Sequence, residues 1–274
     1  MGKPMTEEEF LRIYRFVKSR YGIDMLRKKE IMQGRLENYV HANGFTDYHA
    51  YMNAVEADFT GKLEREMVNI LTTNHTFFMR EMEHFDYLHR VVLPELKMKE
   101  EKQKDLCIWC GASSTGQEPY MLAMLIKDFF GLEHEQWDTK VLATDISTQV
   151  LEHAVRGIYE ESQVEALPDH WKRRYLRPLQ DGTKYEVCEE IKKEVLFRQL
   201  NLMDVFPFRR KMHIVFLRNV MIYFDKETKR QLIQKVYECM EPGGYLFIGQ
   251  TETIDKGNVP FEMIRPSIFR KTGG

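Results

Sequence analysis

The sequence predicts an α/β fold: a Rossmann-like, doubly wound domain with a small β insertion, preceded by a small all-α N-terminal domain. Three observations predict it. From residue 106 onward, short apolar runs alternate with segments of helical period, the pattern of a parallel sheet with right-handed crossovers. The first apolar run leads into a loop of Gly and small hydroxyl residues that opens a helix. Everything before residue 72 carries helical periodicity alone.

Thr6 with Glu9 forms a capping box ahead of Phe10, Tyr14 and Val17, which recur on one helical face. A second helix is expected over about 27–43, with Gly44 as its stop. Phe45-Thr46-Asp47 opens a third, with Tyr48, Tyr51, Met52 and Val55 as its apolar stripe. Leu63, Met67, Ile70 and Leu71 mark a fourth, which completes a helical domain over 1–72. A linker over 73–104 follows. It holds Thr73-Asn74-His75-Thr76-Phe77-Phe78-Met79-Arg80-Glu81, then a helix through His89 and Leu93, then a polar connector from Lys97.

The remaining stretch, 105–274, is the second domain. Strands are expected over 106–110, 140–144, 195–200, 213–217 and 245–249, with helices over 119–130, 148–155 and 226–240. Glu241-Pro242-Gly243-Gly244 is expected as a helix-to-strand turn. The alternation breaks from Asp169 to Ile191, where Asp181-Gly182 signals a hairpin; a β insertion is placed near 169–194. Arg265-Pro266 separates the two arms of a closing hairpin.

Bulk properties exclude several classes. A net charge of −2 provides no general attraction to nucleic acid or to an anionic membrane. Four cysteines are too few for a disulfide framework at 274 residues, so reduced thiols are expected. The polar, charged start does not read as a signal peptide, and no apolar run approaches the roughly 20 residues that span a bilayer. A cytoplasmic protein without membrane insertion is expected. The nine histidines show neither H-E-x-x-H nor a Cys/His quartet, and Cys107-x-x-Cys110 supplies only two ligands, so no metal is expected. The Gly-x-Ser-x-Gly nucleophile motif is absent.

The loop Gly111-Ala-Ser-Ser-Thr-Gly116 is the richest chemical signal. Small residues allow a ligand close to the backbone, and a helix N-terminus offers unpaired N–H groups. The spacing is not G-x-G-x-x-G and no P-loop Lys is present, so the ligand need not be a dinucleotide or a triphosphate. Glu118 opens the helix. The helix dipole alone explains a carboxylate there, but it also suits a cationic ligand group and repels a phosphate. Asp145, ending the second strand, is placed either to bind both hydroxyls of a ribose or to cap the next helix. Asn201 and Leu202 end the third strand, and Arg218, Asn219 and Tyr223 follow the fourth, all at the sheet's carboxyl edge. Phe77 and Phe78 are expected to pack, and His75 alone is not a ligand signal.

Between Arg12 and Arg35 eight basic residues face only Asp24 and Glu30. This is either a solvated helix face or a docking face for an acidic protein; nucleic acid fits less well.

Three motifs in order resemble the chemotaxis receptor protein-glutamate O-methyltransferases, the CheR-type family. They are Thr-Asn-His-Thr-Phe-Phe-Met-Arg-Glu in the linker, Ser-Thr-Gly-Gln-Glu-Pro-Tyr in the loop, and Arg-Asn-Val-Met-Ile-Tyr-Phe after the fourth strand. The resemblance spans essentially the whole chain. It differs in that the family usually has Glu where Gln117 stands, and in the Cys-Gly-Ala-Ser order of the loop. It implies a methyltransferase domain using S-adenosyl-L-methionine, with S-adenosyl-L-homocysteine as product and receptor glutamates as acceptors. Asn74, Thr76, Arg80, Glu118, Asp145, Asn201, Leu202, Arg218 and Asn219 would then line the cofactor site, with Arg80 and Tyr223 orienting the substrate carboxylate. Methyl-accepting receptors would dock on the basic N-terminal helices. In some members the β insertion also grips a receptor tail peptide; the loop around Pro178 and Lys184 is short for that. The alternatives are a methyltransferase for another carboxylate acceptor, a non-catalytic sensor of S-adenosylmethionine or its product, and, at fold level, an NAD-dependent oxidoreductase.

Overall fold

The structure, a computed structural model, describes residues 4–72, 74–179, 182–255, 257 and 259–273. Thr73 of the linker motif and Asp181 of the hairpin signal lie outside the described residues.

Four helices open the chain: α1 (Glu7–Tyr21), α2 (Lys29–Ala42), α3 (Tyr48–Ala57) and α4 (Lys62–Leu71). The capping box forms, with the Thr6 hydroxyl accepting from the Glu9 amide and the Glu9 carboxylate accepting from the Thr6 amide. Asp47 caps α3 through the Ala50 amide at 2.8 Å. Helix α5 (Met82–Tyr87), a π-helical turn (Leu88–Val92) and α6 (Leu93–Lys99) run on as one rod. Pro94 lies just past the widened turn, which relieves its missing N–H and its ring of the clash a regular α-helix imposes. The rod reaches Lys99, beyond the expected start of the polar connector at Lys97, because Leu93 and Leu96 are fully buried.

The second domain runs β1 (Ile108–Gly111), α7 (Gln117–Phe130), β2 (Val141–Asp145), α8 (Thr148–Arg156), β3 (Ile158–Glu160), α9 (Glu161–Val164), α10 (Asp169–Tyr175), β4 (Leu176–Pro178), β5 (Lys184–Val187) and α11 (Glu189–Lys192). It continues with β6 (Val195–Gln199), β7 (Met212–Leu217), α12 (Lys226–Cys239), β8 (Met240–Ile248), β9 (Phe261–Arg265) and β10 (Ile268–Lys271). Seven strands form a sheet in the order β6-β2-β1-β7-β8-β10-β9. The pairings from β6 to β8 are parallel, and β10 is antiparallel to both β8 and β9. This order puts the switch point between β1 and β2 on one side and β7 on the other, so a crevice opens beyond the end of β1.

Two features differ from expectation. Glu241-Pro242-Gly243-Gly244 is a bulge inside β8 rather than a turn before it: Met240 already pairs with Met212, and pairing resumes at Tyr245 with Ile214. The inserted three-stranded sheet, β3-β5-β4, begins at Ile158, upstream of the expected 169. Three residues are too few to show a period, and α9 and α10 separate β3 from its partner. The insertion leans on α7, with the Trp171 indole donating to Asp128 at 2.6 Å and Arg174 pairing with the same carboxylate at 2.7 Å.

Alternation along the central strands sorts the core into two layers. Ile108 and Cys110 pack with α5–α7 and the insertion. Trp109, Val215 and Leu217 pack on the other face with α12 and, continuously, with the buried side chains of α1–α4. The helical domain is thus part of one sheet layer. Among the described residues, no helix is long and apolar enough to cross a membrane.

Candidate functional site

The crevice is a cleft open to solvent, and it brings together all ten candidate residues: Asn74, Thr76, Arg80, Glu118, Asp145, Asn201, Leu202, Arg218, Asn219 and Tyr223. They come from five places in the chain, namely the linker, the first turn of α7, the end of β2, the segment after β6 and the segment after β7.

The loop between β1 and α7 is held from both sides. Gly116 takes φ +96°, and a Cβ there would lie 2.9 Å from both the Ala154 Cβ of α8 and the Tyr159 hydroxyl of the insertion, so only glycine fits between them. Tyr159 in turn donates to the Thr115 carbonyl at 2.7 Å. Asp145 is buried and accepts from the Ser114 amide at 2.8 Å and the Ser147 amide at 3.0 Å, tying the loop to the end of β2. Burial pushes its carboxyl above the usual carboxylate range, opposed by these amides. Helix α8 is capped by Ser147, not by Asp145. The Ser113 hydroxyl, buried and lining the same cleft, has no partner among the described residues.

Glu118 is already paired. Its Oε2 lies 2.5 Å from Arg218 Nη1, and its Oε1 accepts from the buried Cys110 thiol at 3.2 Å. Arg218, with a side chain 1% exposed, also donates to Glu81 at 3.1 Å and to the Arg80 carbonyl at 2.6 Å. Arg218 lies between the two carboxylates, and Arg80 Nε lies 3.9 Å from Glu81 Oε1, so two guanidinium groups balance two carboxylates at that end of the cleft. Burial would raise the Glu81 carboxyl, but Arg218 and the Asn219 amide outweigh it and hold it below the ordinary value. Asn219 donates to Glu81 from its side chain at 3.2 Å and takes φ +58°. Its own amide donates to Glu252 at 2.9 Å, as does that of Met221 at 2.7 Å.

Arg80 sits between two residues in the left-handed region, Met79 at φ +67° and Glu81 at φ +54°. Such backbone persists only where its surroundings impose it. Phe78 supplies one anchor, buried edge-on against Tyr159 with ring centroids 5.0 Å apart. Phe77 does not pack as expected: it is 47% exposed at the mouth of the cleft. Its ring lies under the Arg80 guanidinium and beside His75, which also lines the cleft. Arg80 Nη1 donates to the His75 carbonyl at 2.9 Å.

Sequence reasoning missed Glu81 and Glu252, the two carboxylates that brace the segment after β7. An acidic residue in a polar loop carries no signal of burial. Ser113, Ser114, Phe85 and Leu200 also line the cleft. Among the described residues, no group of His, Cys, Asp and Glu is placed to hold a metal ion.

Residues 74–269 match the family model described as CheR methyltransferase, SAM binding domain, and residues 8–72 match CheR methyltransferase, all-alpha domain. The chain is similar to a chemotaxis protein methyltransferase of Borreliella burgdorferi, at 39% identity over 97% of this chain and 95% of that one. It is also similar to the chemotaxis protein methyltransferases of Salmonella typhimurium, at 32% identity over 90% and 84%, and Escherichia coli, at 32% over 90% and 85%.

Proposed function

The chain belongs to the CheR methyltransferase family, and from that premise we propose that it transfers the methyl group of S-adenosylmethionine to glutamate side chains of chemotaxis receptors. The products are glutamate methyl esters and S-adenosylhomocysteine. The cleft fits such a cofactor. The buried Ser113 hydroxyl, without a partner among the described residues, and the remaining acceptor capacity of Asp145 suit a ribose, and the Glu118 carboxylate lining the cleft suits a cationic amino-acid end. When bound, the cofactor supplies an electrophilic methyl on a sulfonium, which leaves as a neutral thioether.

The residues of the chain then have separable tasks. Asp145 would accept from the ribose hydroxyls, Asn201 and Leu202 would flank the base, and Asn74, Thr76, Glu118, Arg218 and Asn219, which line the same cleft, would hold the rest of the cofactor. A receptor glutamate is already anionic at neutral pH, so no general base is needed. Catalysis reduces to alignment and exclusion of water. Arg80 and Tyr223 orient the incoming carboxylate. Arg80 gives one of its five N–H donors to the His75 carbonyl, and its guanidinium lies over Phe77 at the mouth. An ion pair too strong would blunt the nucleophile, so Tyr223 carries more of the alignment.

The receptor docks on the helical domain. Of the eight basic residues, Arg12, Lys18, Arg20 and Lys29 pair with Glu56, Asp225, Glu64 and Glu7, and Arg35 donates to the Leu71 carbonyl. Arg15, Arg27 and Lys28 are exposed without an ion pair among the described residues. Leu26 and Ile31, 51% and 49% exposed, lie beside Arg27 and Lys28 and give an acidic helix an apolar foothold. In this scheme 1–72 docks the receptor, 73–104 brings Arg80 to the cofactor, and 105–274 holds the cofactor in the cytoplasm.

The observation that carries the reading is the meeting of Arg80 and Tyr223 in the cleft that holds Asp145 and Glu118. Radiolabelled methyl transfer to receptor-enriched membranes tests it, with base-labile release of label diagnosing a carboxyl ester. Absence of receptor label with esterification of a small acid would favour the other-acceptor reading. Tight cofactor binding with no acceptor at all would favour a sensor.

A further inference from the structure

We infer that the turn at 22–24, which ends α1, is a positioning element for Tyr223, so that the helical domain sets the geometry of methyl transfer as well as docking the receptor. The inference rests on Tyr223 orienting the substrate carboxylate.

Tyr223 belongs to a single 3-10 turn, Met221–Tyr223, which is too short to hold its own last residue. Its upstream end is fixed from within the second domain, where the Met221 amide donates to Glu252. Its downstream end is fixed from outside. The Asp24 amide donates to the Tyr223 carbonyl at 2.8 Å, and Ile23 pairs with Phe224 in a lone antiparallel bridge. Gly22 makes this approach possible: it takes φ +71°, and a Cβ there would lie 2.6 Å from Met203 Sδ and 2.8 Å from Thr228 Cγ2. The turn is clamped on both sides. Lys18 Nζ lies 2.5 Å from Asp225, the N-cap of α12, and Asn201 Nδ2 donates to the Arg20 carbonyl at 2.8 Å. Tyr21 and Ile23 themselves line the cleft. A displacement of α1 therefore reaches Tyr223 through this backbone bridge and the Asp24–Tyr223 hydrogen bond that belongs to it, with no intervening side chain.

The test deletes the donor in the full-length protein. Proline at position 24 lacks the N–H, and its demand for an extended preceding residue agrees with Ile23 in a bridge. Asp24→Pro is expected to lower kcat about tenfold at saturating cofactor and receptor, with cofactor Kd within about twofold. In a Tyr223→Phe background the same change is expected to cost less than about twofold, because its target is gone. Asp24→Ala, which keeps the amide, is expected to lose clearly less. Should Asp24→Pro fail to fold, Gly22→Ala displaces the same turn and is expected to give the same pattern. An unchanged kcat in a folded turn variant, an equal loss in the Tyr223→Phe background, or an Asp24→Ala loss as large as that of Asp24→Pro overturns the inference while leaving the role of Tyr223 intact. Full activity of Tyr223→Phe alone overturns that role, and this inference with it.

Discussion

Arg218→Met is the perturbation with the largest expected consequence. The side chain is 1% exposed and lies between Glu118 and Glu81, themselves 17% and 13% exposed. Methionine replaces the stem but takes the nearest cation from both carboxylates, leaving Glu81 with Asn219 and the more distant Arg80, and Glu118 with the Cys110 thiol. Removing one partner of a buried ion pair costs about 3–5 kcal/mol, and here two charges lose one partner, which puts the loss toward the upper figure. For a chain of this size each kcal/mol shifts Tm by about 2–4 °C, so the expected drop is about 6–20 °C. The loss depends on pH in a determined direction. Arg218 and Asn219 hold the Glu81 carboxyl below its ordinary value. A depressed carboxyl contributes stability that is present above the unfolded value and lost as pH falls through the folded one. The variant's deficit is therefore largest above about pH 5 and shrinks toward pH 4, where its Glu81 carboxylate takes up a proton. Adding Glu118→Gln to Arg218→Met should recover about 1–2 kcal/mol by removing one orphaned charge. Thermal unfolding by circular dichroism between pH 4 and 8 measures all of this. A drop under about 2 °C at pH 7.5 would refute the reasoning, as would a deficit equal at pH 4 and pH 8.

Four further outcomes are expected. Tyr223→Phe should abolish most turnover with cofactor affinity unchanged by calorimetry; full activity would sink its role in alignment. Asp145→Ala should weaken cofactor binding at least about tenfold, as expected for lost charge-assisted hydrogen bonds, and an unaltered Kd would remove it from the ribose. Reversing Arg27 and Lys28 together to Glu should raise the receptor KM about tenfold at low salt, with the gap closing at high salt and cofactor Kd unmoved. Receptor kinetics that ignore the reversal would place docking elsewhere. His84 is buried, with its pKa pushed down to about 4 chiefly by burial. Its contribution is complete above about pH 6.5 and is lost toward pH 4, by up to about 3 kcal/mol, because the unfolded chain binds a proton that the folded chain refuses. His84→Gln should flatten that acid limb in unfolding titrations; an unchanged limb would contradict the assignment.

Most of the fold was legible because burial on one face leaves a period in the chain. Phe10 and Val17, or Tyr51 and Val55, announce helices by spacing, and Asp47 announces the start of its own helix. Four-to-six-residue apolar runs announce the central strands. What lay hidden was whatever depends on a distant partner. Ile158, Tyr159 and Glu160 become a strand only through Lys184–Val187. Glu81 reads as one more acidic residue until Arg218, 137 positions later, arrives beside it. Glu252 reads as loop until the amides of Gly249, Asn219 and Met221 converge on it. The candidate residues were legible as family motifs, but the pairing of Glu118 with Arg218 was not. A carboxylate at a helix start predicts a positive partner without saying whether that partner belongs to the ligand or to the protein.

The π-helical turn at Leu88–Val92 fixes an angular phase. One extra residue in a helical turn advances everything beyond it by about 100°. On one side of that turn the rod holds Glu81 at the cleft and sets Phe85 against Phe216, 5.6 Å between ring centroids. On the other side Glu95 accepts from the Tyr245 hydroxyl at 2.7 Å, at the far end of the same sheet. Both ends meet their partners because the rod carries this slip between them. The stretch should then be permissive toward exchanges of similar side chains and intolerant of any change in length. Removing a single residue would swing either Glu81 away from Arg218 or Glu95 away from Tyr245.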